Sequence, residues 1–162
     1  MQNDFLFSDT ILENIRFGRE ILQDDIEKAI QISQAYDFIM SFPEGLNHVL
    51  SQKATNISGG QKQRLLIARA LANHPEILIL DDSSSALDYK TDANLRKAIL
   101  QNLKDTTSII VTQRVSSVMN ADLIIVLEEG EIIGMGNHRD LLNTCEVYKE
   151  ISESQIGGSF ID

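Results

Sequence analysis

The stretch Asn56–Arg64 reads NISGGQKQR, and Ile77–Asp82, a short distance further along the chain, reads ILILDD. In the first stretch two adjacent glycines open a predicted helix. Because glycine has no Cβ, the backbone amides there can approach a phosphate closely, and a helix N-terminus favours an anion. The second stretch is an aliphatic strand that ends in two carboxylates, at a sheet edge where a metal ion can sit. Together they indicate a nucleotide phosphate and magnesium.

Composition narrows the class of protein. The chain has 162 residues, enough for one domain with a hydrophobic core. The net charge of −10 argues against nucleic acid or an anionic membrane surface as a direct partner. The single cysteine, Cys145, excludes an internal disulfide and fits a reducing cytosol. No apolar run reaches the roughly 18 residues of a membrane span.

The hydrophobic pattern predicts an α/β chain in which helices come first. The 10–13 and 24–27 segments read as helix-start signals of the capping-box type. A largely buried helix is predicted at 61–72. Further along, strands alternate with a helix at 91–103, and 77–80 is predicted to be a parallel strand covered on both faces. The other predicted strands are 108–112, also buried, and a hairpin formed by 123–127 and 132–135.

In its motifs the chain resembles the ATP-binding cassette (ABC) family. Ser58–Gln61 matches the signature loop, Ile77–Asp81 the Walker B strand and Ser85–Asp88 the D-loop. Gln2–Ile11 looks like the Q-loop and the segment that follows it in exporter-type members, and Ala121–Ile133 looks like the family's last hairpin. The motifs occur in the family's order along nearly the whole chain.

Two of these motifs also have a plain structural interpretation. Ser58–Gly60 could be a turn with a helix cap, and Asp81–Asp82 could be a solvated pair that closes a strand. The ligand-binding interpretation is favoured because Gln61–Arg64 and a buried helix follow the first motif, and because the D-loop follows the second.

One motif of the family is not found. The phosphate loop, G-x-x-x-x-G-K-[ST], does not occur in the sequence, and in the family it precedes the Q-loop. The resemblance therefore implies a partial P-loop NTPase (RecA-like) α/β core with the ABC helical subdomain and without the phosphate-loop strand. It divides the chain into 1–72 (Q-loop, helical subdomain and signature helix), 73–154 (the C-terminal part of the ATPase core) and a tail at 155–162.

The resemblance also implies ATP and Mg²⁺ as cofactors, and a role for each motif. Asp81 would hold the magnesium through water, and Gln2 would touch the metal and couple the site to a membrane domain. The signature loop would bind the γ-phosphate of the ATP held by a partner cassette, and Asp88 would order the D-loop across the interface. The residues expected to contact nucleotide are Gln2, Ser58, Gly59, Gly60, Gln61 and Asp88.

The chain departs from the family pattern at two catalytic positions. The family has a glutamate directly after the Walker B aspartate, where this chain has Asp82, and a histidine in the switch loop, where this chain has Gln113. Aspartate is one methylene shorter, and a misplacement of about 1 Å can cost on the order of a hundredfold in rate. Gln113 can donate a hydrogen bond but cannot carry a proton or a positive charge. The resemblance is therefore to the degenerate-site subunit of heterodimeric bacterial multidrug-type exporters.

The implied partners are a second cassette with an intact glutamate and histidine, and the transmembrane domain of an exporter at the cytoplasmic face of the cell membrane. Leu50–Ala54 departs from the Gly-Glu pattern that contacts that domain in exporters. The main alternative is a truncated, non-catalytic cassette fragment that acts only as an interaction module. An ATPase of DNA repair or translation is disfavoured by the charge, and an importer ATPase by Phe5–Ile11.

Overall fold

The computed structural model describes residues 5–83 and 85–156. Its helices are α1 (Ile11–Arg16), α2 (Gln23–Ile32), α3 (Tyr36–Met40), α4 (Gly59–Leu71), α5 (Tyr89–Asn102), α6 (Val115–Val118), α7 (His138–Thr144) and α8 (Glu146–Ile156). Its strands are β1 (Ile77–Asp81), β2 (Thr107–Val111), β3 (Ile124–Glu128) and β4 (Glu131–Gly136), and Gly45–Asn47 and Gln52–Ala54 form short 3₁₀ turns. The fold divides into two compact units, Met1–Ile109 and Ile110–Asp162. None of the helices in the described ranges has the length and apolar character needed to cross a membrane.

The core of the first unit forms around α4, which packs against α1 and α2. Its side chains Leu65, Ile67, Ala68 and Leu71 are buried. The facing side chains of α1 and α2 include isoleucines at positions 11, 15, 26 and 30, each 0% exposed. Full burial of one such side chain stabilises the folded state by roughly 1.5–3 kcal/mol. The predicted helix at 61–72 is confirmed, with its start two residues earlier.

The two predicted helix-start signals have different outcomes. Thr10 Oγ1 accepts a hydrogen bond of 3.1 Å from the amide of Glu13, so the cap at Thr10 is confirmed. The second bond of the predicted capping box is not made, because the Thr10 amide donates to Asp9 Oδ1 at 2.7 Å. The second signal is wrong in detail, because α2 begins at Gln23 and its N-cap, Leu22, makes no side-chain cap bond. Asp24 lies instead within the first turn, where a carboxylate interacts favourably with the helix dipole.

Strands β1 and β2 form one sheet and begin at the same edge, since the Thr107 amide donates to the Glu76 carbonyl at 2.9 Å. Leu78 and Leu80 of β1 are buried, whereas Ile77 and Ile79 are 60% and 63% exposed. The prediction that this strand is covered on both faces is therefore wrong. Successive side chains of a strand point to opposite faces, and in the described residues this sheet has two strands with only one face of β1 covered. The strand predicted at 108–112 is confirmed as β2, but its predicted burial is wrong, because every residue of β2 except the half-buried Ile110 is exposed.

The second unit contains the predicted hairpin. β3 and β4 pair antiparallel, with Gly130 at φ 86° in the turn between them. One hydrophobic cluster is formed by buried residues of the hairpin, of α6, α7 and α8, and by Cys145 between the last two helices. Its members are Val115, Ile124, Val126, Leu141, Cys145 and Tyr148. The hairpin prediction is confirmed.

A buried hydrogen-bond network connects the segment after the Q-loop to α1 and α4. Asn14 is 1% exposed, accepts from the Phe7 amide at 2.8 Å and donates to the carbonyls of Phe7 and Thr10 at 3.0 Å. Arg69 Nε donates to the Asn14 carbonyl at 2.7 Å, and its Nη1 donates to the Phe5 carbonyl at 2.9 Å. One asparagine and one arginine therefore provide hydrogen-bond partners for backbone groups of a segment that belongs to no helix or strand.

We expect Asn14→Ala to lower the free energy of unfolding by about 2–4 kcal/mol. The change removes the side-chain partner of the Phe7 amide and carbonyl, and it removes the 3.2 Å hydrogen bond from Arg69 Nη2 to Asn14 Oδ1. Asn102→Ala is the matched control, since Asn102 donates to the Ala98 carbonyl on the exposed side of α5. Its loss should stay within about 0.5 kcal/mol. Urea unfolding of both variants measures the difference, and equal losses would contradict the assignment.

Candidate nucleotide-binding site

The signature residues form the capped N-terminus of α4. Ser58 Oγ accepts from the Gln61 amide at 3.2 Å, and Gln61 Oε1 accepts from the Ser58 amide at 2.8 Å, which is a complete capping box. Gly59 and Gly60 are the first two helical residues, whose amides have no carbonyl partner within the helix. Ser58 and Gly59 are exposed. The capped end of a 13-residue helix therefore faces solvent with the polarity that favours an anion.

The two glycines differ in how tightly they are packed. A Cβ on Gly60 would lie 3.0 Å from the carbonyl oxygen of Ala86, so the close packing of α4 on the D-loop favours glycine there. A Cβ on Gly59 would meet only the Cβ of Ala86, at an ordinary 3.8 Å. The fold therefore has room for a side chain at Gly59, and packing does not account for the glycine at this position.

The two carboxylates at the end of β1 are both exposed. Asp81 is the last residue of the strand, and Asp82 follows in a left-handed conformation with φ 47°. Aspartate tolerates this region better than most residues with a side chain. The Asp82 carbonyl accepts hydrogen bonds from the Ser85 amide at 3.2 Å and from the Ser85 hydroxyl at 3.0 Å. The turn thus fixes the direction in which the Asp82 side chain leaves the strand.

These carboxylates suit magnesium chemically, because Mg²⁺ prefers oxygen ligands and is commonly held by one or two carboxylates together with substrate phosphates. Among the residues that the structure describes, no group of three or more His, Cys, Asp or Glu side chains could hold a metal ion. Gln2, the other predicted metal contact, lies outside the described residues.

Gln63 is a site residue that the sequence analysis missed. Its side chain is 9% exposed. Its Nε2 donates to the Asp82 carbonyl at 3.3 Å, and its Oε1 accepts from the Ala86 amide at 3.1 Å. One side-chain amide on α4 thereby holds both the residue after β1 and the D-loop. The flanking residues Lys62 and Arg64 are also polar, so the local pattern does not distinguish Gln63.

Asp88, at the end of the D-loop, is the N-cap of α5. It accepts from the Thr91 amide at 2.9 Å and from the Thr91 hydroxyl at 2.7 Å. Both hydrogen bonds lower the pKa of the Asp88 carboxyl, and the bond from the Thr91 amide has the larger effect. The ionised carboxylate therefore orders the D-loop through its own helix, and it remains exposed.

Gln113 belongs to the second unit, where it follows β2 with its side chain exposed. Its carbonyl accepts from Gln155 Nε2 at 2.7 Å. Two residues further on, the Val115 amide donates to Gln155 Oε1 at 2.9 Å. Sequence analysis had placed Gln155 at the start of a tail, whereas α8 continues to Ile156.

The segment that departs from the exporter pattern, Leu50–Ala54, ends in a 3₁₀ turn at Gln52–Ala54. Lys53 and Ala54 adopt left-handed φ values of 61° and 51°. The segment is held by its neighbours, since the Ser51 amide donates to Asn56 Oδ1 at 2.9 Å. It leads directly into the signature turn.

The first unit thus brings together the signature turn, the end of β1 and the D-loop. Comparison with known proteins gives this arrangement a family. The family model described as ABC transporter matches residues 1–85, slightly more than half of the chain. An uncharacterized ABC transporter ATP-binding protein of Bacillus subtilis (strain 168), YfiB, is 47% identical over 157 residues, which cover 96% of this chain and 27% of that protein.

Two further proteins show similar coverage. A Staphylococcus aureus (strain NCTC 8325) ATP-binding/permease protein whose name proposes multidrug export is 41% identical over 155 residues, which cover 95% of this chain and 27% of that protein. The solved structure of a bacterial Atm1-family ABC exporter with ATP bound matches with a TM-score of 0.89 and 33% identity, over 96% of this chain and 28% of that one. The chain therefore spans 27% or 28% of the length of each of these proteins. In sequence and in mixed helix and strand fold, this chain belongs to the ABC transporter family.

Proposed function

We propose that the chain is ATP-binding cassette sequence of an exporter, with a degenerate catalytic site of its own and an intact signature loop that serves the ATP of a partner cassette. The observation that carries the proposal is the exposed, capped N-terminus of α4, where Gly59 is not required by packing. A helix end of this kind binds phosphate through backbone amides. The exporters that resemble the chain over 95% or 96% of its length support the same assignment.

In this proposal the two residues at the end of β1, together with Gln2 and Gln113, have separate roles in ATP hydrolysis. Asp81 would hold magnesium through water, together with Gln2, and the metal would neutralise charge on the phosphate oxygens. Asp82 accepts a hydrogen bond from the attacking water and orients it towards the γ-phosphate. Gln113 donates a hydrogen bond to that phosphate. The phosphate loop that would hold the rest of the ATP does not occur in these 162 residues.

The site built by this chain is proposed to be slow for two additive reasons. The Asp82 carboxylate ends one methylene short of a glutamate, so the water that it orients lies further from the reaction path. Gln113 remains neutral, so it stabilises the negative charge of the transition state less well than a protonated histidine. Neither change affects the Ser58–Gly60 turn, which would act on the partner's ATP.

The proposed coupling of ATP hydrolysis to transport depends on nucleotide sites that two cassettes share. Two cassettes that each contribute a signature turn to the other's nucleotide close when both ATP molecules bind, and they open after hydrolysis, which is a ligand-driven domain motion. The proposed partners are a second cassette with the usual glutamate and histidine, and the transmembrane domain of an exporter, with the cassettes at the cytoplasmic face. The proposed reaction is ATP hydrolysis coupled to export.

The 162-residue chain on its own should bind MgATP only weakly, because Asp81 and the signature turn cannot replace the amides and lysine of a phosphate loop. Isothermal titration calorimetry of the purified chain measures the affinity. A dissociation constant in the micromolar range, about −8 kcal/mol of binding free energy, for a folded monomer would contradict this prediction. No change in ATP turnover when the signature turn is altered in the assembled exporter would instead favour an interaction module.

Changes in the signature turn should reduce ATP turnover of the assembled exporter more than a change in the slow site. The expected order of damage is Gly59→Asp, then Ser58→Ala, then Asp82→Asn, since Gly59→Asp adds a negative charge facing phosphate.

Gly59→Ala and Gly60→Ala form a matched pair that separates an effect on ATP turnover from an effect on stability. Gly59→Ala should lower turnover about tenfold or more by crowding the phosphate site, with its thermal unfolding midpoint unchanged. Gly60→Ala should lower the midpoint through its contact with the Ala86 carbonyl.

Turnover and thermal unfolding of each variant test this pattern. If Asp82→Asn abolished turnover and the signature changes were mild, the chain would be a working catalyst and the asymmetric assignment would be wrong.

The double variant Asp82→Glu with Gln113→His should raise hydrolysis at the site of this chain by about tenfold or more, because it restores the carboxylate reach and a group that can be protonated. Glutamate is less favourable than aspartate at φ 47°, so a loss of about 1 kcal/mol in unfolding free energy is expected. Single-turnover ATPase with the partner's catalytic glutamate disabled gives the rate. An unchanged rate would place the cause of the slow site elsewhere.

A further inference from the structure

Gln155, near the end of α8, makes two hydrogen bonds to the segment that contains Gln113. Its Nε2 donates to the Gln113 carbonyl at 2.7 Å, and its Oε1 accepts from the Val115 amide at 2.9 Å. The two contacts lie on either side of Arg114, so one side-chain amide holds the main chain as a neighbouring strand would. We call this pair of hydrogen bonds the Gln155 bridge.

The Gln155 bridge supplies a hydrogen-bond partner for the first amide of α6, which the neighbouring residues do not supply. α6 begins at Val115, and its N-cap residue, Arg114, makes no side-chain cap bond. The first amide of a helix has no partner within the helix, and here the partner comes from 40 residues further along the chain. The Arg114 amide donates to Thr112 Oγ1 at 3.0 Å. Side chains therefore fix the backbone from Gln113 to Val115, which belongs to no strand and only touches the start of a helix.

α8 is well placed to hold this segment. Tyr148, Ser152 and Gln155 are spaced four and three residues apart and so lie on one face of the helix. Tyr148 and Ser152 are each 4% exposed. Val115, also 4% exposed, lies in the same hydrophobic cluster as Tyr148 and Leu141. Packing thus fixes α8 against α6. Gln155, on the same face of α8, makes hydrogen bonds to the backbone of Gln113 and Val115.

We propose that Gln155 is a positioning residue for catalysis: the Gln155 bridge fixes the main chain at Gln113 so that the exposed Gln113 side chain is held in reach of the γ-phosphate. The inference rests on the proposed role of Gln113. A glutamine side chain has three rotatable bonds, so its amide can be placed accurately only if its backbone does not move. A displacement of about 1 Å at a catalytic group can cost on the order of a hundredfold in rate.

The test uses Gln155→Leu, which keeps a similar volume and removes both hydrogen bonds. Gln155→Glu retains an acceptor for the Val115 amide and removes only the donor to Gln113. Gln101→Leu is the matched control, because Gln101 is an exposed glutamine on α5. Each change is made in the assembled exporter with the partner's catalytic glutamate disabled, both alone and together with Gln113→Ala.

Two measurements are made on each variant. Amide hydrogen exchange at Val115 should be about tenfold faster or more in Gln155→Leu, because its hydrogen bond is lost, and unchanged in Gln101→Leu. The steady-state kcat should fall by about tenfold in Gln155→Leu, with KM for ATP within about twofold. Gln155→Glu should lie between Gln155→Leu and the unaltered protein. In the Gln113→Ala background Gln155→Leu should have no further effect on kcat, because the two residues act through one group.

Three results would overturn the inference. An equal loss of kcat in both backgrounds would make Gln155 a residue of general stability only. Unchanged exchange at Val115 would show that the bridge does not hold the segment. If Gln113→Ala alone left kcat unchanged, the proposed role of Gln113 would fail and the catalytic inference with it. Faster exchange in Gln155→Leu would then still identify the bridge as a structural contact.

Discussion

Gln63 joins the end of β1 to the D-loop with a single buried amide, and it can do so only because α4 is locked in place by burial. Its two hydrogen bonds cross 19 and 23 residues of sequence. The same helix presents the signature turn at its N-terminus and bonds the segment after the Q-loop through Arg69 near its C-terminus. The first unit is therefore organised around one helix, whose N-terminus, middle and C-terminal part each contact a different segment of the chain. A displacement of α4 would alter all three groups together, and in the proposed function it would link nucleotide contacts to the membrane domain.

The left-handed conformation of Asp82 illustrates how that framework supports the site. A non-glycine residue at φ 47° is strained unless its surroundings hold it. The Asp82 carbonyl accepts from Gln63 and from two donors of Ser85. These bonds direct the carboxylate away from the line of β1 while Asp81 remains at the strand end. Two adjacent carboxylates thereby acquire different positions, as the proposed tasks of metal binding and water orientation would require.

Local patterns in the sequence predicted much of the fold. The α4 helix, the β3–β4 hairpin and the cap at Thr10 follow from periodicity, turn residues and a short-range hydrogen bond. The exposure of Ile77 and Ile79 could not be predicted, because an aliphatic run shows that a strand is apolar but not which neighbours cover it. The start of α2 was misplaced because an acidic residue is as favourable within the first turn as at the cap. Gln63 and Gln155 were missed because hydrogen bonds between distant segments leave no periodic signal.

The Ser-Gly-Gly motif combines constraints of different origin, which the sequence alone cannot separate. Ser58 is explained by capping, since its hydroxyl satisfies an amide of the first helical turn. Gly60 is explained by packing, since the Ala86 carbonyl occupies the space of a side chain. Only Gly59 has neither a cap nor a close contact to account for it. Capping and packing therefore account for Ser58 and Gly60 but not for Gly59, where the proposed approach of a phosphate would supply the missing reason.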